Sequence, residues 1–160
     1  MVIDDSLFVA SGDDVSRFEV NATLAVPPAR VFAAFASEAG FAAAYGPDRS
    51  ELVAHIDLAV GGRYEWLFDG RVGSNGCQVL SYVPGRMISF TWNAPPTQPE
   101  QRAQRTWVVV ELMPSAEGAT ALRLTHLGFG EGEGWDATRA YFEKAWPHVL
   151  QTMKTNLEGR

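Results

Sequence analysis

The stretch from Trp135 to Leu157 constrains the fold more than any other part of the sequence. Its apolar residues recur in steps of three and four, at Phe142, Ala145, Trp146, Val149, Met153 and Leu157. This spacing places them along one face of an α-helix, with polar side chains on the other face. The helix would span roughly 33 Å, so its apolar stripe must be buried against another part of the chain. Because Pro147 cannot bond to the Glu143 carbonyl, we expect a kink there or two helices end to end.

The segment before residue 46 predicts one main strand followed by two short helices. Apolar and polar residues alternate over Phe18–Val26, the pattern of a half-buried strand. The Pro27–Pro28 pair ends this strand and favours the first turn of a helix over Ala29–Ala36. The second helix is expected within Ser37–Tyr45, with the serine as its N-cap. Leu7–Ala10 is an expected edge strand, folded back over the turn that follows it.

The middle of the chain alternates in the same way through six more segments separated by turn residues. They are 52–58, 63–68, 77–83, 87–92, 105–113 and 120–127. Strands joined by short turns form an antiparallel meander, and the long helix is the candidate cover for its apolar face. We therefore predict an α+β fold in which a curved antiparallel sheet of about six or seven strands wraps around the C-terminal helix. We expect one domain at residues 18–160, an N-terminal extension at 1–17, and a solvent-exposed loop at 94–100.

Charge and cysteine content argue against several classes of function. The net charge of −6 and the lack of a basic stripe argue against a nucleic-acid or anionic-membrane partner. The single cysteine, Cys77, excludes an internal disulfide and a cysteine-rich metal site, and its expected state is a buried, inert thiol. The sequence shows no secretory leader and no apolar run long enough for a membrane span, so we expect a cytoplasmic protein.

Five motifs, spread from the first helix to the last, resemble those of one protein family. They are Ala29–Phe32 after two prolines, Asp57–Tyr64 with a double glycine, Val83–Trp92 with a proline turn, Thr120–Phe129, and the closing Trp146–Gly159. Together they resemble the SRPBCC (START/Bet v 1-like) superfamily, in the branch related to the C-terminal domain of the activator of Hsp90 ATPase. The resemblance implies a helix-grip fold with a cavity between sheet and helix, often used to bind an apolar ligand. None of these motifs is a catalytic signature.

The sequence departs from this branch at two places. Tyr45 stands where many members carry a Trp before Gly-Pro. The eukaryotic co-chaperones have a separate N-terminal domain that helps to clasp the chaperone, whereas only residues 1–17 precede the fold here. The second difference argues against Hsp90 activation.

The candidate ligand-contacting residues are those expected to face the space between sheet and helix. They are Tyr64, Trp66, Tyr82, Phe90, Trp92, His126, Phe142 and Trp146. Two interpretations of the aromatic members remain open: they fill a solid core, or they line a cavity. The glycine-rich run 128–134 is either a flexible connection or a lid at the cavity mouth, and its two glutamates argue against phosphate binding.

His126 is the candidate for chemistry, because it alternates with Leu122 and Leu124 and so faces inward. No motif positions an Asp or Glu to orient it, which favours a hydrogen-bonded core histidine over a general base. His55 and His148 do not form a ligand-spaced set with it, so we predict no metal site, and we assign no catalytic residue and no cofactor.

Trp107 is expected on the outer face of the sheet. Val108, Val110 and Leu112 form an all-aliphatic set that suits the inner face, which leaves Trp107 and Val109 outside. An outward Trp next to a Val suggests a covered surface. The expected cover is the N-terminal segment around Leu7–Val9 or a second subunit, so we expect a monomer or a homodimer.

Three functions remain open, and we favour the first. In the first, the protein binds a small apolar molecule in the cavity without catalysis, as the inward aromatic set and the single polar His126 suggest. Alternatively it is a cyclase- or lyase-like enzyme that uses His126 with Tyr64 or Tyr82 as acid–base groups. In the third, it is a stress- or chaperone-associated interaction module.

Overall fold

The long C-terminal helix packs against antiparallel strands, as the α+β helix-grip prediction requires. The computed structural model describes residues 7–46 and 51–159. The strands are β1 (Leu7–Ala10), β2 (Arg17–Leu24), β3 (Leu52–Ile56), β4 (Tyr64–Phe68), β5 (Val72–Gly73), β6 (Val79–Val83), β7 (Met87–Trp92), β8 (Thr106–Pro114) and β9 (Thr120–Leu127). The helices are α1 (Pro28–Ala36), α2 (Glu38–Ala44), α3 (Pro99–Arg102) and α4 (Glu133–Glu158). The predicted fold class, including the two short helices after the first main strand, is confirmed.

The strands form two sheets rather than the single one that we predicted. Six strands pair in the order β1-β2-β9-β8-β7-β6, and three pair in the order β3-β4-β5. The sheets meet at an isolated bridge between Arg63 and Gln78, next to a 2.9 Å bond from Tyr64 N to Cys77 O. The register of β6 against β7 shifts between Val79 and Ser81. Because pairing is irregular on the β6 side of this junction, alternation alone does not locate it.

Helix α4 runs unbroken from Glu133 to Glu158 and passes through Pro147, so the prediction of two helices end to end is wrong. The buried stripe follows Phe142, Trp146, Leu150, Met153 and Leu157. Leu150 thus occupies the core position that the sequence assigned to Val149, which is only half-buried. None of the helices in the described ranges combines the length and apolar character that a bilayer crossing needs.

The second short helix, α2, is positioned by specific hydrogen bonds at both of its ends. Ser37 Oγ accepts from Gly40 N at 3.0 Å, so its predicted role as the N-cap of α2 is confirmed. Asn156 Nδ2 donates to Ala44 O at 2.9 Å and ties the end of α2 to α4. Contacts of this kind place Tyr45, just after α2, next to the C-terminal helix.

The two faces of β8 divide as predicted, but the outer face is not covered by the N-terminal strand. Val108, Val110 and Leu112 are buried, whereas Trp107 is 39% exposed. Strand β1 extends the sheet edge beside β2, and both β2 and β9 separate it from β8. The prediction that Leu7–Val9 covers Trp107 is therefore wrong, while a second subunit on this face stays a prediction.

The Trp107 ring is instead supported by a glycine of its own chain. Gly128 has φ +94°, and a Cβ added there would lie 2.7 Å from Trp107 Cζ3. Only a residue without a side chain allows the indole to approach the backbone so closely. This approach holds part of the Trp107 ring against the protein surface.

Candidate functional site

A cavity of about 310 Å³ lies between α4, the small sheet β3-β4-β5 and the end of β7. Its wall is built from the end of α2, strands β3 to β5, the end of β7 with the loop after it, α3, and the middle of α4. The lining residues are Tyr45, Leu52, Trp66, Phe68, Val72, Gly73, Ser74, Trp92, Asn93, Ala94, Pro95, Pro96, Arg102, Tyr141, Phe142, Ala145, Trp146, His148 and Val149. Most of these side chains are apolar, and several are aromatic.

Three tryptophans from three different elements form the deep wall of the cavity. Trp66 and Trp92 meet edge to face, with ring centroids 5.2 Å apart and planes at 82°. Trp146 lies 5.3 Å from Trp92 and 5.9 Å from Trp66 by the same measure. Each ring therefore touches the other two, in geometries that aromatic pairs favour. Since β4, β7 and α4 each supply one member, the wall depends on the packing of helix against both sheets.

The polar part of the wall is centred on Arg102 of α3. Arg102 Nη1 donates to Ala94 O at 2.7 Å, and Nη2 donates to Gly73 O at 2.8 Å and to Asn75 Oδ1 at 3.0 Å. Among the residues that the structure describes, no Asp or Glu lines the cavity, and no carboxylate lies within 4.0 Å of the guanidinium. Arg102 thus brings a positive charge to an otherwise mostly apolar wall.

Four of the eight residues predicted to contact a ligand lie on this wall: Trp66, Trp92, Phe142 and Trp146. Phe90 and Tyr64 are fully buried behind it, with their rings stacked at a centroid distance of 4.0 Å.

Tyr82 is half-buried on β6 and does not line the cavity, and its neighbour Leu80 is 41% exposed. Tyr82 pairs with Ile88 and packs against the core, but Ile88 lies near the opposite end of β7 from Trp92, away from the cavity. The register shift in β6 explains instead why Val79 rather than Leu80 is turned toward the core.

The sequence analysis missed Arg102, because the proline-rich loop 94–100 was expected to be exposed. The loop in fact buries Ala94 and leads directly into α3. The available signal was Pro99, which occupies the first turn of α3, a position that proline favours.

His126, the eighth candidate, is fully buried, and both of its ring nitrogens are hydrogen-bonded. Trp146 Nε1 donates to His126 Nδ1 at 3.0 Å, and His126 Nε2 lies 2.8 Å from Thr106 Oγ1. An indole nitrogen is only a donor, so Nδ1 must accept and the ring proton must be on Nε2. Thr106 then accepts from His126 and donates onward to Trp92 O at 3.3 Å.

Burial lowers the pKa of His126 to about 3, so the ring stays neutral at ordinary pH. Its single lone pair is occupied by Trp146, and its hydrogen bonds within the described residues include no carboxylate. A general base needs a free nitrogen close to its substrate. The interpretation of His126 as a hydrogen-bonded core histidine is therefore confirmed.

The Tyr64 hydroxyl is also held by a hydrogen bond within the core. Its hydroxyl donates to Phe35 O at 2.6 Å, and burial raises the pKa of the phenol well above its usual value. Trp66 Nε1 is buried near this hydroxyl, but no acceptor from residues 7–46 or 51–159 meets it with hydrogen-bond geometry. The acid–base pair required by the enzymatic alternative is not assembled, since Tyr64 and His126 each bond to other groups.

Cys77 and the glycine-rich run lie outside the cavity wall. Cys77 is buried, and burial raises the pKa of its thiol, which fits the expected inert cysteine. No residue of the run 128–134 lines the cavity, so the lid interpretation gains no support. Its glycines instead pack against rings, Gly128 against Trp107 and Gly130 against Trp135. Within the described residues, no three His, Cys, Asp or Glu side chains gather as a metal site would require.

Comparisons with known proteins agree with the resemblance seen in the motifs. A crystal structure of a protein from Mesorhizobium loti has a TM-score of 0.70 at 22% identity, covering 89% of this chain and 97% of that one. An NMR structure from Arthrobacter aurescens has a TM-score of 0.70 at 16% identity, covering 97% and 93%. An Hsp90 activator from Plasmodium falciparum has a TM-score of 0.66 at 19% identity, covering 88% and 94%.

At these identities the solved structures establish a shared fold alone. No curated protein matches the sequence. The family model described as Activator of Hsp90 ATPase homolog 1-like protein matches residues 25–158, which include all four helices and every strand except β1 and β2. The chain therefore belongs to the family of Activator of Hsp90 ATPase homolog 1-like proteins.

Proposed function

We propose that this protein binds a small, largely apolar molecule in the cavity between α4 and the two sheets. The observation that carries the proposal is the cavity of about 310 Å³, whose deep wall is formed by Trp66, Trp92 and Trp146. This volume lies at the lower end of the range for small-molecule sites, roughly 300–1,000 Å³. An apolar molecule there would cover aromatic surface that otherwise faces water, which favours binding.

The two interpretations of the aromatic residues each apply to a different part of the molecule. Tyr64, Phe90 and His126 pack into a filled core, whereas Trp66, Trp92 and Trp146 have one side in that core and one on the cavity wall. A broad apolar surface without a cavity would have favoured an interaction module. The Plasmodium Hsp90 activator shares the fold, but no contact of the described residues favours an Hsp90-associated role over ligand binding.

The direct test uses N-phenyl-1-naphthylamine, an uncharged fluorescent probe of aromatic shape. Ala145 lines the cavity from α4, so Ala145→Phe should fill part of the space and weaken probe binding at least tenfold. Ala140→Phe is the matched control, because Ala140 is exposed on the same helix and lies outside the cavity wall. Energy transfer from the wall tryptophans to the probe reports occupancy of this site.

The proposal fails if the unmodified protein does not bind the probe, or if Ala145→Phe and Ala140→Phe bind it equally well. If the probe binds as expected, native mass spectrometry of protein purified from its own cell lysate is used to search for a retained small molecule. A retained mass that is lost in Ala145→Phe and kept in Ala140→Phe identifies the natural ligand.

A further inference from the structure

Arg102 gives the cavity a chemical preference that its apolar wall does not explain. We infer that the ligand is an amphipathic organic acid, with an apolar body against the three tryptophans and its anionic group at Arg102. The inference rests on the proposed function and adds the class of ligand. Its basis is that the lining residues within the described ranges 7–46 and 51–159 include this arginine and no Asp or Glu.

The guanidinium is held in place by neutral acceptors. Its three hydrogen bonds go to Ala94 O, Gly73 O and Asn75 Oδ1, so none of them neutralises the positive charge. These bonds fix the side chain before any ligand arrives, which reduces the entropy lost on binding.

Arg102 also retains donor capacity. A guanidinium has five N–H groups, and the three bonds above use both hydrogens of Nη2 and one of Nη1. The Nε hydrogen and the second Nη1 hydrogen have no acceptor within the described part of the chain. A carboxylate or sulfonate is an acceptor-only group that matches such donors and forms stronger bonds with them than a neutral acceptor does.

The surroundings strengthen the preference for an anion. Arg102 is half-buried beside aromatic side chains, where a charge is screened less than on an open surface. His148 also lines the wall. The protein as a whole carries a net charge of −6, so its overall field does not attract anions. A preference for an acid must therefore come from local groups, chiefly Arg102.

Two probes with the same aromatic skeleton isolate the anionic group. 1-Anilinonaphthalene-8-sulfonate is N-phenyl-1-naphthylamine with a sulfonate added, so the ratio of their dissociation constants measures the contribution of the charge. In Arg102→Gln the ratio should shift about tenfold against the sulfonate, because the ratio cancels any change in wall shape that affects both probes alike. Arg105→Gln removes the same charge three residues along the chain from an exposed side chain outside the wall, and should leave the ratio unchanged.

Each other outcome has a definite meaning. If Arg102→Gln weakens both probes equally, Arg102 only holds the loop and the inference is overturned. If the ratio is unchanged in Arg102→Gln, or shifts as much in Arg105→Gln, the inference is also overturned while cavity binding stands. If the uncharged probe does not bind the unmodified protein, the proposed function itself fails. Preferential displacement of N-phenyl-1-naphthylamine by decanoate over decan-1-ol would extend the result from a sulfonate to a carboxylate.

Discussion

Trp146 and His126 are joined by a 3.0 Å hydrogen bond that connects α4 to the middle of the large sheet. The bond continues from His126 through Thr106 to the carbonyl of Trp92, so one directed chain links the helix with β9, β8 and β7. Trp146 and Trp92, at the two ends of this chain, both line the cavity. The same bonds that anchor the helix therefore also hold the indole of Trp146 and the backbone of Trp92.

Trp146 should be the largest single anchor of α4. Trp146→Ala removes a buried ring and should lower the free energy of unfolding by roughly 3–5 kcal/mol. Trp146→Phe keeps most of the ring but leaves His126 Nδ1 without a donor, which should cost about 1–3 kcal/mol. Urea unfolding measures both losses. Trp135→Phe, at a half-buried position near the start of the helix, is the control, and an equal loss there would contradict the role of the Trp146–His126 bond.

His126 should make stability depend on pH. Burial lowers its pKa from 6.5 to about 3, so below pH 6.5 the unfolded chain binds a proton that the folded protein does not. Stability is therefore complete above that value and decreases as the pH falls toward about 3, by roughly 1 kcal/mol per pH unit. Urea unfolding in the upper half of this window, where carboxylates are still ionised, measures the slope. His126→Gln should flatten it, and an unchanged slope would contradict the assignment.

Gly128 should resist substitution more than other glycines with positive φ. Alanine at this position meets both an unfavourable backbone conformation and the Trp107 ring, which lies 2.7 Å from the added Cβ. Gly118 has φ +73° and nothing within 4 Å of its added Cβ, so Gly118→Ala measures the backbone effect alone. We expect Gly128→Ala to lower the thermal midpoint clearly more than Gly118→Ala. Equal shifts would show that the ring can move aside without cost.

The N-terminal strand should stabilise the sheet edge without shielding Trp107. Deletion of residues 1–10 removes Leu7, which is only 2% exposed, and leaves the edge of β2 unpaired. We expect lower stability but no change in the access of acrylamide to Trp107. Fluorine NMR of fluorotryptophan-labelled protein measures this access. A Trp107→Phe variant assigns the resonance. If access increases on deletion at constant molecular mass, the N-terminal segment does cover the outer face; if the intact protein is a dimer, a second subunit is the cover.

Most elements of the fold could be predicted from local chemistry. Ser37 as an N-cap and the alternation around Val108 and Val110 each depend on neighbours in sequence, and the structure agrees with both. The inward position of His126 followed from the same alternation. The prediction that failed depends on contacts distant in sequence. Leu150 is buried where Val149 was expected, because the surfaces that contact α4, rather than spacing alone, decide which side chain is buried.

The candidate site was harder to predict for a related reason. Its aromatic half comes from regular strands and a helix, where periodicity gives the direction of each side chain. Its polar half comes from Arg102, whose place depends on carbonyl oxygens at Gly73 and Ala94. Tyr82 failed as a candidate because alternation gives the face of a side chain but not its distance from the cavity: Tyr82 pairs with Ile88, near the opposite end of β7 from Trp92.

The pairing of β2 with β9 has a consequence for how the chain reaches its native state. Arg17 pairs with Leu127 and Leu24 with Thr120, so β2 leaves the ribosome long before its partner is made. Its apolar side chains, Phe18 and Val20 among them, have no native cover until β9 and α4 have been synthesised. Contacts so distant in sequence close slowly, and exposed apolar strands aggregate in the meantime. The nascent chain therefore passes through a vulnerable interval in which general chaperones would find a binding surface that the finished protein conceals.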